Sequence, residues 1–215
     1  PLSALFRGLY CEVMYRRFVP HKPTDGGTYG SYQTLGDLTI TYDNQNDSIT
    51  GYRRWLDLRT ATAFTEYTIN GVRYSRKYYV SKDCDAMIVE IEAGAKASLD
   101  LEVNLSRAFR CTEEITEDGL LKISGTLDSG AEKPGMGYAA YAQILTEGKD
   151  AVIEEGRVYD ADKAWIIISA ATSYFEGDDY DRKAREILAK ATENFDPRRT
   201  YAAAVQTHKA LYDRA

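Results

Sequence analysis

Residues 61–80 read ATAFTEYTINGVRYSRKYYV, and this stretch decides the fold class. Apolar and polar side chains alternate up to Ile69 and again from Val72, which is the period of a β-strand with two different faces. Between the two runs lies Asn70-Gly71, a pair that readily adopts the positive φ angles of a type I′ turn. The sequence therefore predicts a hairpin of two long antiparallel strands.

The period of two extends on both sides of this hairpin, from Tyr32 onward over about 140 residues. Turn signals at Gly94, Asp118-Gly119 and Glu155-Gly156 separate the runs. The apolar stretch from Ala164 to Ala171 has no polar face, which predicts a central strand. The further predicted strands are Asp37–Tyr42, Tyr52–Leu58, Ala86–Glu92, Leu99–Leu105, Leu120–Ser124, Tyr138–Leu145 and Trp165–Ala170.

Consecutive strands at short spacing, with no helices between them, are typical of antiparallel sheets packed as a sandwich. The predicted class is therefore mainly β. Both ends of the chain are predicted to be helical. Residues 2–18 place apolar side chains at helical spacing and stop before Pro20; the stripe is Leu2, Leu5, Phe6, Leu9 and Val13.

Two helices are predicted near the C-terminal end. Asp178 or Asp179 can cap the first, which has an apolar stripe. Asp196-Pro197 opens the second, because proline suits the first helical position. This last helix is still amphipathic where the chain stops, so we expect its packing partner beyond residue 215 or in another subunit. The two stripes are Ala184, Ile187, Leu188 and Ala191, and Tyr201, Ala204, Val205, His208, Leu211 and Tyr212.

Composition narrows the function classes. The chain has 215 residues, 44% apolar content and a net charge of −6, spread along its length. Ample apolar material argues against disorder, and an acidic chain is a poor partner for nucleic acid. The longest apolar run is far too short to cross a membrane.

Seventeen tyrosines against two histidines favour β structure. The three cysteines, Cys11, Cys84 and Cys111, match no zinc spacing and are predicted to be buried free thiols.

No motif identifies a catalytic site. Residues 135–140, GMGYAA, fit a dinucleotide fingerprint, but a strand rather than a helix follows, so a glycine turn is predicted. His21 lies in a loop rich in proline. His208 lies on the helical stripe, where a packing histidine with one hydrogen bond is favoured over a general base.

Carboxylates and aromatic rings are the remaining candidates for a catalytic or sugar-binding site. Acidic groups in turns and at helix starts are expected to be solvated or capping, with Asp178 to Asp181 the clearest capping case. Exposed aromatic rings could stack on sugars, but core positions are favoured for the set as a whole. The acidic groups are Asp43, Asp47, Glu113, Glu114, Asp178, Asp179 and Asp181, and the rings are Trp55, Tyr78, Tyr79 and Trp165.

Several ordered blocks resemble the N-terminal domain of glycoside hydrolase family 95, the inverting α-L-fucosidases, which also include α-L-galactosidases. The blocks are YQTLGDL at 32–38, YRRWLDL at 52–58, NGVRYSR at 70–76, AATSY at 170–174, and a last helix carrying His208, Tyr212 and Arg214. Thr34 and Lys77 depart from the usual proline and glutamate. Gly36 is expected to serve a close approach, and the arginines at 53 and 54 to pair with carboxylates across the sheet.

The resemblance implies three parts: an N-terminal helix and loop at 1–31, a β-supersandwich at 32–175, and linker helices at 176–215. It implies that opening strands precede residue 1. An (α/α)6 catalytic barrel is implied to follow in the same polypeptide and to act on a fucosylated glycan. The family's catalytic residues have no counterpart here, so catalytic, metal and cofactor residues are all predicted to be none. A periplasmic or secreted location is the family's usual one.

Three functions are weighed. The first is a non-catalytic N-terminal domain of an enzyme resembling α-L-fucosidases. The second is a carbohydrate-binding β-sandwich module without hydrolytic activity, which the tyrosine content and the sandwich favour. The third is a self-contained hydrolase, which the missing catalytic constellation disfavours.

Overall fold

The computed structural model describes residues 34–42, 48–127 and 135–214. The predicted helix over residues 2–18, His21 and Cys11 lie outside these ranges. Within them the chain is mainly β, as predicted. The strands are β1 Asp37–Tyr42, β2 Ile49–Asp57, β3 Thr62–Ile69, β4 Val72–Ser81, β5 Ala86–Ala93, β6 Leu99–Ser106, β7 Thr112–Ile115, β8 Leu121–Thr126, β9 Gly137–Glu147, β10 Val152–Glu154, β11 Arg157–Ala161 and β12 Lys163–Thr172.

Three helices follow the last strand. They are the short α1 (Ser173–Glu176), then α2 (Tyr180–Thr192) and α3 (Pro197–Tyr212), with one 3-10 turn between α1 and α2. The strands form two antiparallel sheets, one of four strands in the order β1-β6-β11-β10 and one of eight in the order β2-β3-β4-β5-β12-β9-β8-β7. The predicted antiparallel sandwich is therefore confirmed, with a third layer of helices.

The predicted hairpin is β3 and β4. Ile69 pairs with Val72 across the turn, and Asn70 and Gly71 have φ angles of 50° and 80°, as a type I′ turn requires. Glu155 and Gly156 close β10 and β11 in the same way, with φ angles of 47° and 83°. Only this turn was predicted there, because strands of three and five residues are too short to show a period.

The central position of β12 is also confirmed. It pairs with β5 on one side and with β9 on the other. Ile166 faces the four-stranded sheet and Ile167 faces the helices, and both are fully buried. A strand with two covered faces has no polar side to show, which is why the run from Ala164 to Ala171 lacks alternation.

The helices α2 and α3 cover the outer face of the eight-stranded sheet. In α2 the predicted stripe is confirmed, with Ala184, Leu188 and Ala191 buried. The Ser169 hydroxyl on β12 donates a 2.7 Å hydrogen bond to the Ala184 carbonyl, which fixes this helix on the sheet. In α3 the predicted face is covered only in part, because Ala204 is buried while Leu211 remains exposed.

The two predicted helix caps have opposite outcomes. The Asp196 side chain accepts hydrogen bonds from the backbone amides of Arg198 and Arg199, with Pro197 opening the helix, as predicted. The cap by Asp178 or Asp179 is wrong. Asp179 precedes α2 but makes no capping bond, because its carboxylate pairs with Arg182 at 3.0 Å instead.

Candidate functional site

Within the described residues, neither a cluster of metal ligands nor a disulfide is present. Within 34–42, 48–127 and 135–214, no three His, Cys, Asp or Glu side chains come close enough to hold a metal ion. Over the same ranges, no helix has the length and apolarity needed to span a membrane. Cys84 and Cys111 are free thiols and half-buried, so the predicted full burial is wrong for both.

His208 has the structural role that the sequence favours. Its Nε2 lies 2.8 Å from the carbonyl oxygen of Leu58, so Nε2 is protonated and donates this bond, because a carbonyl only accepts. The imidazole also lies against Tyr212, with ring centroids 5.6 Å apart. The histidine therefore ties the end of α3 to the end of β2.

The aromatic candidates divide into core and surface. Trp165 and Tyr79 are buried under the helices, and Tyr78 packs against the sandwich core, as predicted for the set. Trp55 differs, since 39% of it is exposed. Its indole stacks on Phe64 with centroids 4.9 Å apart, and the Arg53 guanidinium lies 4.9 Å from its centroid. Part of the surface that a sugar would need is therefore taken by protein.

Charged side chains on β2, β3 and β4 form a cross-strand cluster. Arg53 donates a 2.8 Å hydrogen bond from Nε to Oε2 of Glu66, and Arg73 pairs with the other oxygen of that carboxylate. The hydrogen bond from Arg53 lowers the pKa of Glu66, burial opposes this, and Arg73 lowers it further. The expected pairing of an arginine with a carboxylate across the sheet is confirmed at Arg53.

The sandwich interior holds a cation that sequence reasoning missed. Arg76 on β4 is buried, and its guanidinium lies 4.9 Å from the ring centroid of Tyr42 and 5.8 Å from that of Tyr67. It donates to their hydroxyls at 3.2 and 3.3 Å. The signal was available, because Arg76 occupies an inward position between Tyr74 and Tyr78 in the alternation of β4.

A second polar cluster joins α2 to the sheet. The Tyr141 hydroxyl donates to Oδ1 of Asp181 at 2.9 Å, and Lys122 pairs with Asp181 at 3.3 Å and with Glu114 at 3.0 Å. Burial lowers the pKa of Lys122, but its hydrogen bonds with Glu114, Tyr141 and Asp181 outweigh this and raise it. Asp181 therefore anchors the helix through its side chain and is not a cap.

The remaining acidic candidates form no cluster within the described residues. Glu113 accepts a 3.1 Å hydrogen bond from the backbone amide of Arg107. Asp178 is exposed. Asp43 and Asp47 lie outside the described residues. Among the candidate carboxylates that the structure describes, Glu114 and Asp181 share a partner, Lys122.

Comparison with known proteins shows the family to which this chain belongs. Residues 12–177 match the family described as Glycosyl hydrolase family 65, N-terminal domain. The chain belongs to this family. Its domain is 36% identical over 169 residues to Alpha-L-fucosidase 2 of Arabidopsis thaliana. That match covers 68% of this chain but only 20% of the relative, so the chain spans about a fifth of the length of that curated protein.

The fold of this N-terminal domain also occurs in a solved structure, a putative kojibiose phosphorylase from human microbiome. The two superpose with a TM-score of 0.52 at 12% identity, over 81% of this chain and 27% of the other. At that identity the likeness concerns the fold alone.

Gly36, in the block at residues 32–38, lies where two segments of the chain approach closely. A Cβ on Gly36 would lie 2.6 Å from Cδ1 of Ile123 and 2.8 Å from the carbonyl oxygen of Ser106. Such distances are too short for any side chain, so the close approach expected for Gly36 is confirmed. Lys77 stands where the family that the blocks resemble usually has glutamate. Its ammonium pairs with Glu90 at 3.0 Å and lies 4.6 Å from the ring centroid of Tyr201.

Proposed function

We propose that the chain is the non-catalytic N-terminal domain of a glycoside hydrolase resembling inverting α-L-fucosidases. The observation that carries this is the 36% identity to Alpha-L-fucosidase 2 over 169 residues, together with membership of a family of glycosyl hydrolase N-terminal domains. The described residues support a scaffold role, because their polar clusters hold strands and helices together.

The parent enzyme would hydrolyse terminal fucosyl linkages of glycans, with the reacting groups in a catalytic domain of the same polypeptide. In this proposal residues 1–31 form an N-terminal helix and loop, residues 32–175 the sandwich domain, and residues 176–215 the helices that lead to an (α/α)6 barrel. The chain's coverage of only 20% of Alpha-L-fucosidase 2 supports a large partner domain.

The test is an assay of the whole parent polypeptide beside the 215-residue chain. The parent should release product from an aryl α-L-fucoside with inversion of anomeric configuration, observed by proton NMR, and the chain alone should give no turnover. An aryl α-L-galactoside and phosphate-dependent cleavage of an α-glucoside are the comparison reactions. Turnover of either in the absence of fucoside hydrolysis would contradict the proposed substrate.

The alternative is a carbohydrate-binding module, and the half-exposed Trp55 is the observation that favours it. Isothermal titration of the 215-residue chain with fucosylated oligosaccharides decides between the two. We expect flat heats, because Phe64 and Arg53 already contact the indole. Saturable binding that Trp55→Ala abolishes would support the module instead.

A further inference from the structure

One end of the eight-stranded sheet has an unusual surface. Each neighbouring pair of strands from β2 through β5 and β12 is antiparallel, so β2, β4 and β12 run in one direction and finish at the same end. The last residues of these strands are Asp57, Ser81 and Thr172. The loop around Arg110 lies here too, because the Tyr138 hydroxyl at the start of β9 donates to the Arg110 carbonyl at 2.8 Å.

Exposed apolar side chains concentrate at this end. Among the described residues, every large apolar side chain with an exposed fraction of 59% or more lies here, and the most exposed are Tyr174 at 78% and Phe175 at 83%. Other exposed apolar side chains in the described ranges reach at most 52%. We call this surface the apolar end; its residues are Leu56, Leu58, Val80, Phe109, Tyr174, Phe175 and Leu211.

The last helix carries the chain to the same end. Near its start, α3 packs Tyr201 against Tyr79, with centroids 5.0 Å apart. One and a half turns later, Thr207 lies 3.5 Å from Asp83, in the turn beyond β4. His208 then bonds the Leu58 carbonyl beyond β2. Leu211, three residues after His208, therefore lies at the same end of the sheet.

We propose that the apolar end is the docking surface for the domain that follows in the parent polypeptide. The inference rests on the proposed function for the existence of that domain, and it adds the face and the chemistry of the contact. Exposed apolar surface is typical of interfaces on soluble proteins; seven large apolar side chains are exposed at this end of the sheet, and the end of α3 lies beside Leu58 in this group. The chain covers 20% of Alpha-L-fucosidase 2, so a parent polypeptide of similar length would have ample chain to cover these side chains.

Hydroxyl-radical footprinting of the parent polypeptide tests the proposal with an internal control. In the 215-residue chain, Tyr174 should be oxidised faster than Tyr52, which is 42% exposed and lies on the edge strand β2. In the parent, the oxidation of Tyr174 and Phe175 should fall at least about fivefold, because interface cores exclude water, while Tyr52 keeps its rate. Unchanged oxidation of Tyr174 and Phe175 would overturn the proposal.

A pair of matched variants gives a second readout. Phe175→Glu should lower the unfolding midpoint of the parent by roughly 3 °C or more and leave the 215-residue chain unchanged, since this side chain contributes little burial there. Tyr52→Glu is the matched control and should shift the two proteins equally. An equal shift for Phe175→Glu in both proteins would contradict docking.

Two further outcomes separate this inference from its alternatives. If the 215-residue chain sediments as a dimer and Tyr174 is protected in it to the same degree as in the parent, the patch binds a second copy and the proposal fails. If the parent hydrolyses fucosides while Tyr174 and Phe175 stay reactive, docking fails and the proposed function stands. If Tyr174 and Phe175 are protected in a parent that has no fucosidase activity, docking stands and the proposed function fails.

Discussion

At the scale of single residues, Arg76 is the unusual feature of the interior. A buried cation is costly unless it is paired, and within the described residues Arg76 faces tyrosine hydroxyls in place of a carboxylate. Its guanidinium also lies over the rings of Tyr42 and Tyr67, within the distance of a cation–π contact. Burial raises the pKa of Tyr67, so that hydroxyl stays neutral and acts as a hydrogen-bond acceptor at physiological pH.

Arg76→Lys should therefore destabilise the domain more than Arg76→Met does. Lysine keeps the buried charge but loses the hydrogen bonds that the guanidinium donates to two tyrosine hydroxyls, and we expect a loss of roughly 2–3 kcal/mol in the free energy of unfolding. Methionine removes the charge together with its desolvation cost. Urea denaturation measures both, with Arg54→Lys on the exposed strand β2 as control. A lysine variant as stable as the wild type would show that the guanidinium contacts of Arg76 do not stabilise the domain.

At the scale of elements, the carboxylate of Glu66 holds three strands through Arg53 and Arg73. The pKa of Glu66 is lowered from its ordinary value of 4.5, so the folded state favours the ionised form. The stability that this group contributes is fully present above pH 4.5 and is lost as the pH falls through the lower folded-state pKa.

Glu66→Gln should accordingly lower the unfolding midpoint at pH 7 and have a progressively smaller effect below pH 4.5. Thermal unfolding followed by circular dichroism between pH 3 and pH 7 measures this, with buffers on the order of 0.1 M in salt. Glu176→Gln, at an exposed position, is the control. A deficit that stays constant with pH would show that the carboxylate charge is not what stabilises the strands.

The attachment of α2 to the sheet gives a second prediction at this scale. Tyr141→Phe removes the hydroxyl that donates to Asp181 and preserves the ring, so the expected loss is about 1 kcal/mol, the usual net value of one hydrogen bond. Amide hydrogen exchange should show faster exchange within α2. Tyr52→Phe at the exposed edge should change neither quantity, and equal effects of the two variants would exclude a specific Asp181 contact.

At the scale of the whole molecule, the helices are a third layer of the core. Leu188 is buried between α2 and the outer face of the eight-stranded sheet, whereas Leu211 on α3 is exposed. In the 215-residue chain, Leu188→Ala should cost about 2–5 kcal/mol, and Leu211→Ala less than about 0.5 kcal/mol. Chemical denaturation compares them. A loss for Leu188→Ala as small as that for Leu211→Ala would contradict the role of the helices as a layer of the core.

Most strands and turns could be predicted because their causes are local. Asn70-Gly71 adopts positive φ angles with little cost, and Asp196-Pro197 caps and starts a helix from adjacent residues. The four-residue β7 was missed, since so short a strand shows no period. Asp179 shows the limit at helix ends, because the same carboxylate could cap α2 or pair with Arg182, and only the folded geometry decides.

The sequence by itself determined the mainly β class, the hairpin and the central strand, because alternation and turn chemistry act between near neighbours. The tertiary structure decided which side chains meet across the fold. Tyr141 and Asp181 are 40 residues apart, and His208 reaches Leu58 across 150 residues. It also decided that the exposed apolar side chains gather at one end of the sheet, because strand direction, which no local pattern contains, places the ends of β2, β4 and β12 together.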